Sequence, residues 1–248
     1  TRLRMNLVNY MQRLSLRSLH ELKERTAISD IIPMKEEFKY ITRRNRLVDE
    51  LKEKGIKSQS VLEAIRQVPR QYFITEALIE FAYEDKAYPI GAGQTISQPF
   101  TVARQTELLD VCPGDKILEI GTGSGYQAAV LMEAGARLFS IERQENLYMI
   151  TRKKLKGLGY NLTCHFGDGF EGLPDEAPFD KIIVTAGASE IPEKLLRQLK
   201  IGGFMVLPFG SGEKKRMYRI QRLSETDFER KDFGACAFVP MLRGTETL

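Results

Sequence analysis

Apolar positions recur at helical spacing through the first hundred or so residues and in strand-length runs after that. Over 3–25, Leu7, Met11, Leu14, Leu19 and Leu22 fall near one face of a helix whose other faces are polar and basic. Residues 26–40, with Pro33 and mixed charges, read as a linker. From Thr42 a helical period carries Leu47 and Leu51 and stops at Gly55. Ser58 or Ser60 can cap a second helix through Val61, Leu62, Ile65 and Val68, closed by Pro69. Tyr72, Phe73, Leu78, Ile79 and Phe81 predict a third helix over 71–84. Residues 88–99 hold two glycines and two prolines and predict a loop, followed by a helix from about 100 to 111.

After Pro113 and Gly114 the pattern changes. Strands are predicted over 116–120, 137–141, 162–166, 181–185 and 204–208. Helices are predicted between them, over 125–134, 145–156 and 192–199. This alternation implies a doubly wound α/β fold, with a parallel sheet covered by helices on both faces. Two last strands, 217–223 and about 236–241, have no helix between them and predict an antiparallel edge. The chain thus divides into a basic helical arm with its linker (1–40), a helical region carrying the 88–99 loop (41–112) and an α/β core (113–248).

Charge refines this picture. The formal net charge is +4. Residues 1–25 carry six Lys/Arg and two Glu, so they hold all of that excess and the rest of the chain sums to zero. A nucleic-acid enzyme more often spreads positive charge over its catalytic domain. The arm reads as a solvated or packing helix, with RNA or anionic lipid as the minority reading. Three cysteines, Cys112, Cys164 and Cys236, form no close pair and fit free thiols in a reducing compartment. His20 and His165 are the only histidines, so no metal cluster is expected. No apolar run approaches the ~20 residues needed to span a bilayer. Gln12, Arg13 and Arg17 interrupt any signal-peptide core, and the expected location is the cytoplasm.

Candidate chemistry concentrates at 116–126. A buried strand leads into Gly121, Thr122, Gly123, Ser124 and Gly125, and a helix follows. Glycines let the backbone turn tightly and approach a ligand, and the free N–H groups of a helix start favour a carboxylate. A dinucleotide dehydrogenase places its third glycine three positions after the second; here that position is Tyr126. The spacing found, with Glu119 two residues before the first glycine, resembles the first motif of class I methyltransferases. Glu142 ends the next strand, 21 positions after Gly121, where a carboxylate can accept from both ribose hydroxyls. Asp168, between Gly167 and Gly169 at the end of the third strand, can accept from an adenine amino group. All three features sit where open α/β sheets bind ligands. A glycine turn without a ligand, or an acid serving as a surface residue or cap, is the bland alternative for each taken singly.

The acceptor is narrowed by what is missing and by a loop. Residues 184–188 lack the Pro-Pro-aromatic motif of adenine-N6 enzymes, and Cys112-Pro113 is the reverse of the Pro-Cys nucleophile of cytosine-C5 enzymes. Ile90, Gly91, Gly93, Gln94, Thr95, Ile96, Ser97 and Pro99 reproduce a loop that resembles the hallmark of protein-L-isoaspartate O-methyltransferases. Val61–Ile65, 68–73, 118–126, 167–169, 184–192 and 238–244 resemble the same family, in order, over about 43–244. Phe100 stands where the family often has Tyr or His, and the first 40 residues have no counterpart. The resemblance implies a Rossmann-like methyltransferase sheet and S-adenosylmethionine as cofactor. It implies that Gly121, Thr122, Gly123, Gly125, Glu142, Asp168 and Gly169 bind that cofactor. It further implies that Ser97 lies in the active site, that Thr95 and Ile96 line a peptide groove, and that isoaspartyl proteins and peptides are the substrates. A class I methyltransferase acting on RNA or a small molecule is the alternative reading.

Overall fold

The computed structural model describes residues 38–212 and 215–247. The helix expected over 3–25 and the linker up to residue 37 lie outside the described residues. The first described helix, α1 (Phe38–Glu53), buries Leu47, Val48 and Leu51. In α2 (Gln59–Gln67) the Ser58 hydroxyl accepts from the Val61 N–H at 3.4 Å. The cap thus falls on the first of the two candidate serines and ties down one of the helix's free donors.

The single helix expected over 71–84 is replaced by two 3-10 turns, Arg70–Phe73 and Glu76–Phe81. Ile74 and Thr75 are extended between them. The adjacent Phe73 and Ile74 are both buried, and an extended Ile74 lets both reach the core. The loop expected over 88–99 is instead a small antiparallel hairpin of β1 (Tyr88–Gly91) and β2 (Gln94–Ile96), with Tyr88 opposite Ile96. Its foot is held by Asp85. One carboxylate oxygen accepts from the Phe100 N–H at 2.7 Å, and the other accepts from Gln98 at 3.0 Å and Lys54 at 2.6 Å. Helix α3 (Pro99–Leu109) begins with Pro at a position where no N–H is needed, and its own N-cap residue makes no side-chain cap. Asp85 supplies that cap from outside the helix.

The core follows the predicted alternation: β3 (Lys116–Ile120), α4 (Tyr126–Glu133), β4 (Arg137–Glu142), α5 (Glu145–Gly157), β5 (Thr163–Phe166), β6 (Phe179–Val184), α6 (Glu193–Gln198), β7 (Leu199–Phe209), β8 (Lys215–Arg222) and β9 (Phe228–Cys236). One sheet runs in the order β5-β4-β3-β6-β7-β8-β9. Neighbours from β5 to β7 are parallel, and β8 and β9 pair antiparallel at the edge. Strand order reverses between β3 and β6, which opens a crevice at their carboxyl ends.

The last strand differs from the prediction. It lies at 228–236 rather than 236–241, and on this exposed edge the run Glu229-Arg230-Lys231-Asp232 hides any apolar alternation. The predicted stretch instead leaves the sheet and crosses to the end of β6. There Gly187 donates to the Val239 carbonyl at 2.7 Å, and Met241 donates to the Gly187 carbonyl at 2.9 Å. That crossing brings the tail over the crevice. Among the described residues, no helix is long and apolar enough to cross a membrane.

Candidate active site

The glycine turn between β3 and α4 is built for close approach. Gly121 has φ +96°, and a Cβ there would come within 2.6 Å of the Thr185 hydroxyl. That hydroxyl lies within hydrogen-bonding distance of the Ile120 and Gly121 carbonyls, at 2.9 and 2.8 Å. Gly125 has φ +87°, and a Cβ would meet the Thr151 methyl at 2.9 Å and Leu155 at 3.1 Å. Helix α5 therefore packs flush under the turn, and the Thr151 hydroxyl donates to the Gly123 carbonyl at 2.7 Å.

Two acids meet this turn in different ways. Glu142, buried at the tip of β4, accepts from the Gly123 N–H at 2.9 Å and from the Gln144 N–H at 3.0 Å. A carboxylate has about four lone-pair sites, so two remain for a ligand. Glu119 is wholly buried one strand over. One of its oxygens accepts from the Ser140 hydroxyl at 2.5 Å, and the other has no partner among the described residues. Ser140 in turn lies 2.6 Å from the Thr122 hydroxyl. Burial pushes the Glu119 carboxyl up to about 8; the Ser140 bond opposes this and the Glu142 charge adds to it.

The glycine turn and Glu142 line one cleft of about 850 Å³, counted to its open mouth. Its floor is Ile120 to Ser124 with Thr185 and Ala186, one end is Ile141, Glu142, Arg143 and Gly169, and the tail covers it with residues 239–242. The hairpin closes the remaining side through Gln94, Thr95, Ile96 and Ser97. Ile90 from the hairpin lies over the turn, its Cδ1 being 3.8 Å from where a Cβ on Gly123 would sit. The Gln144 amide donates to the Ala92 carbonyl at 3.0 Å and ties down the hairpin tip.

Comparisons with known proteins agree with this arrangement. The family model "Protein-L-isoaspartate(D-aspartate) O-methyltransferase" matches residues 42–246. The chain belongs to the protein-L-isoaspartate(D-aspartate) O-methyltransferase family. Protein-L-isoaspartate O-methyltransferase from Flavobacterium psychrophilum is 54% identical over 210 residues, covering 84% of this chain and 98% of that protein. The one from Christiangramia forsetii is 50% identical with the same coverage. A solved protein-L-isoaspartate O-methyltransferase structure superposes with TM-score 0.73 at 28% identity, covering 79% of this chain and 65% of that one.

In this family member the cleft brings together Thr95, Ile96, Ser97, Gly121, Thr122, Gly123, Glu142 and Gly169. Gly125 and Asp168 are not among the lining residues. Gly125 lies beneath the turn against α5. The Asp168 carboxylate is taken up by main-chain donors, the Phe170 N–H at 2.8 Å and the Gly244 N–H at 2.7 Å. It anchors the tail that covers the cleft. Ser97 is half-buried, and its hydroxyl has no hydrogen bond within the described residues. Among the described residues, no three His, Cys, Asp or Glu side chains converge to hold a metal ion.

Sequence reasoning missed Asp85 and Gln144, and it noted 238–244 only as a family likeness and not as a cover over the cleft. It also missed Arg70, which lies in the 68–73 segment noted only as a family likeness. Their roles depend on contacts far along the chain, and Asp85 and Gln144 stand in polar runs that give no local signal.

Proposed function

We propose that this chain is a protein-repair enzyme. It moves the methyl group of S-adenosylmethionine to the free carboxylate of L-isoaspartyl residues in damaged proteins and peptides. The observation that carries this reading is the cleft itself, which a glycine turn, the buried strand-tip residue Glu142 and Ser97 line together. Family membership supplies the reaction class.

The cleft's fit to the cofactor rests on shape and donor chemistry. The absence of a Cβ at Gly121 leaves room against Thr185, and Glu142 keeps acceptor sites for a pair of hydroxyls. Glu142 would hold the ribose, Gly169 the adenine end, and the turn at Gly121, Thr122 and Gly123 the methionine part, with Gly125 seating that turn on α5 and Asp168 fixing the tail over the cleft. When bound, S-adenosylmethionine supplies an electrophilic methyl group on a sulfonium.

The chain's own work is alignment and exclusion of water. An isoaspartyl carboxyl titrates near the ~3.9 of aspartate and is ionised at neutral pH, so no general base is required. The Ser97 hydroxyl donates to that carboxylate or to adjacent substrate main chain. Thr95 and Ile96 line the peptide groove, and the hairpin and the tail keep water from the reacting oxygen. Orientation of this kind is a recognised source of rate. The ester formed lets the neighbouring main-chain nitrogen displace methanol, and the resulting succinimide opens in part to normal aspartate. The free thiols and the lack of any membrane-crossing helix among the described residues support a cytoplasmic site of action.

A matched peptide pair tests this. Radiolabelled methyl should pass to the isoaspartyl peptide and not to its aspartyl twin, and mild alkali should release it; equal transfer to both, or to neither, rejects the proposal. Ser97→Ala removes one hydrogen bond to a charged group. It should lower kcat/KM for the isoaspartyl peptide by about ten- to a hundredfold.

A further inference from the structure

Arg70 is a full cation inside the protein. Its side chain is wholly buried, among the largest so enclosed. A buried charge is retained only where fixed dipoles or an opposite charge meet it. Here the guanidinium donates from Nε to the Ala82 carbonyl at 2.9 Å. From Nη2 it donates to the Lys86 carbonyl at 3.3 Å and to the Ser97 carbonyl at 3.0 Å. Its plane lies over the Tyr126 ring, 4.6 Å from the centroid. No carboxylate forms an ion pair with it among the described residues.

The placement of these partners matters. Lys86 and Ser97 sit just outside the two ends of the hairpin, whose outermost pair is Tyr88 and Ile96. One nitrogen thus draws together the two chains at the hairpin's neck. The hairpin has only three or four residues per strand and carries Pro89, so its own ladder is short. Tyr126, on which the guanidinium rests, is the first residue after the glycine turn and lines the same cleft. Arg70 therefore joins the strand that presents Ser97 to the segment that shapes the cofactor side.

We propose that Arg70 is a positioning residue, clamping the hairpin neck through the Lys86 and Ser97 carbonyls and so setting where Ser97 meets the peptide substrate. This rests on the reading that the hairpin receives an isoaspartyl peptide. The planar fork of arginine suits the role, because it can reach carbonyls in different directions while stacking on a ring. A lysine ammonium keeps the charge but not this geometry.

The test uses Arg70→Met, which keeps much of the volume without donors, and Arg70→Lys, which keeps the charge. Three quantities are measured on the full chain: KM and kcat for an isoaspartyl peptide, the dissociation constant for S-adenosylhomocysteine, and the melting temperature. A displaced Ser97 should raise the peptide KM by about ten- to a hundredfold in Arg70→Met, with a smaller rise in Arg70→Lys. S-adenosylhomocysteine affinity should stay within about threefold, because Glu142 and the glycine turn are untouched.

A merely structural arginine would lower the melting temperature and the active fraction and leave the peptide KM unchanged. That result overturns the proposal, as does a parallel loss of peptide and S-adenosylhomocysteine affinity. If Arg70→Met does not fold, the same KM comparison on Arg70→Lys decides. Failure of the functional reading itself is separate, since the unsubstituted chain would then not methylate the isoaspartyl peptide.

Discussion

Glu142→Ala is expected to weaken S-adenosylhomocysteine binding by about a hundredfold, through loss of two hydrogen bonds to a charged acceptor. The side chain is 4% exposed at the tip of β4, and its two bonds to the Gly123 and Gln144 N–H groups hold it in one orientation. A ligand hydroxyl pair therefore meets a fixed acceptor, with little side-chain entropy left to lose. Alanine also leaves the Gly123 and Gln144 donors without their carboxylate, so the turn loses a support along with the ligand contact. Glu142→Gln separates these effects. Its amide oxygen can still serve one main-chain donor, but charge assistance is gone, and the loss should be about tenfold. Isothermal titration with S-adenosylhomocysteine reads both values. An unchanged dissociation constant in the alanine variant would remove Glu142 from the ribose site.

That site shows how far sequence patterns reach. Five residues, 116–120, form a strand with the predicted bounds because Ile117, Leu118 and Ile120 make a short apolar run closed by a glycine. The same logic located Gly121, Gly123 and Glu142 around the cleft, since each follows directly from where a strand ends. What could not be read depends on partners distant in sequence. The hairpin at 88–96 contains Pro89, Gly91 and Gly93 and has the composition of a loop; it becomes a hairpin because Arg70, Asp85 and Gln144 hold its neck, foot and tip. Arginine is among the residues least often fully buried, so nothing in its neighbourhood marks Arg70 as a core residue. Asp168 was placed correctly at the end of β5, yet the donors that meet its carboxylate include Gly244, 76 residues away. The strand at 228–236 lies on an exposed edge and carries no apolar alternation to detect.

The buried acid beside the site has a consequence for stability. Glu119 should make the folded protein less stable as pH rises from about 5 to about 8, with a slope approaching 1.4 kcal/mol per pH unit from this group alone. The sign follows from proton counts. In the unfolded chain this carboxyl titrates near the ordinary glutamate value of 4.5, whereas in the fold burial carries it up to about 8. Between those values the folded state holds a proton that the unfolded state has released, so raising the pH favours unfolding. Below the window both states are protonated and the group contributes nothing. Above it both are ionised, and the destabilisation is complete.

Glu119→Gln keeps the shape and an acceptor for Ser140 while removing the titration. Its extra N–H group sits where an oxygen already lacks a partner, which lowers stability by an amount independent of pH. The diagnostic quantity is therefore the difference in melting temperature between the two proteins as a function of pH, in which the other titrating groups largely cancel. That difference should shift in favour of the variant by about ten degrees between pH 5 and 8.5, since the slope sums to about 4 kcal/mol over that range and about 1 kcal/mol moves a chain of this size by about 2–4 °C. Parallel melting curves across the range would mean that Glu119 is already ionised in the folded protein at neutral pH. The link from Glu119 through Ser140 to Thr122 would then begin at a carboxylate, with Ser140 committed as a donor toward it. With the proton in place, the acid can instead donate to Ser140 and Ser140 to Thr122. The protonation state of one buried carboxyl thus decides whether Ser140 must donate to it or can also accept from it, one hydrogen bond away from Thr122 at the glycine turn.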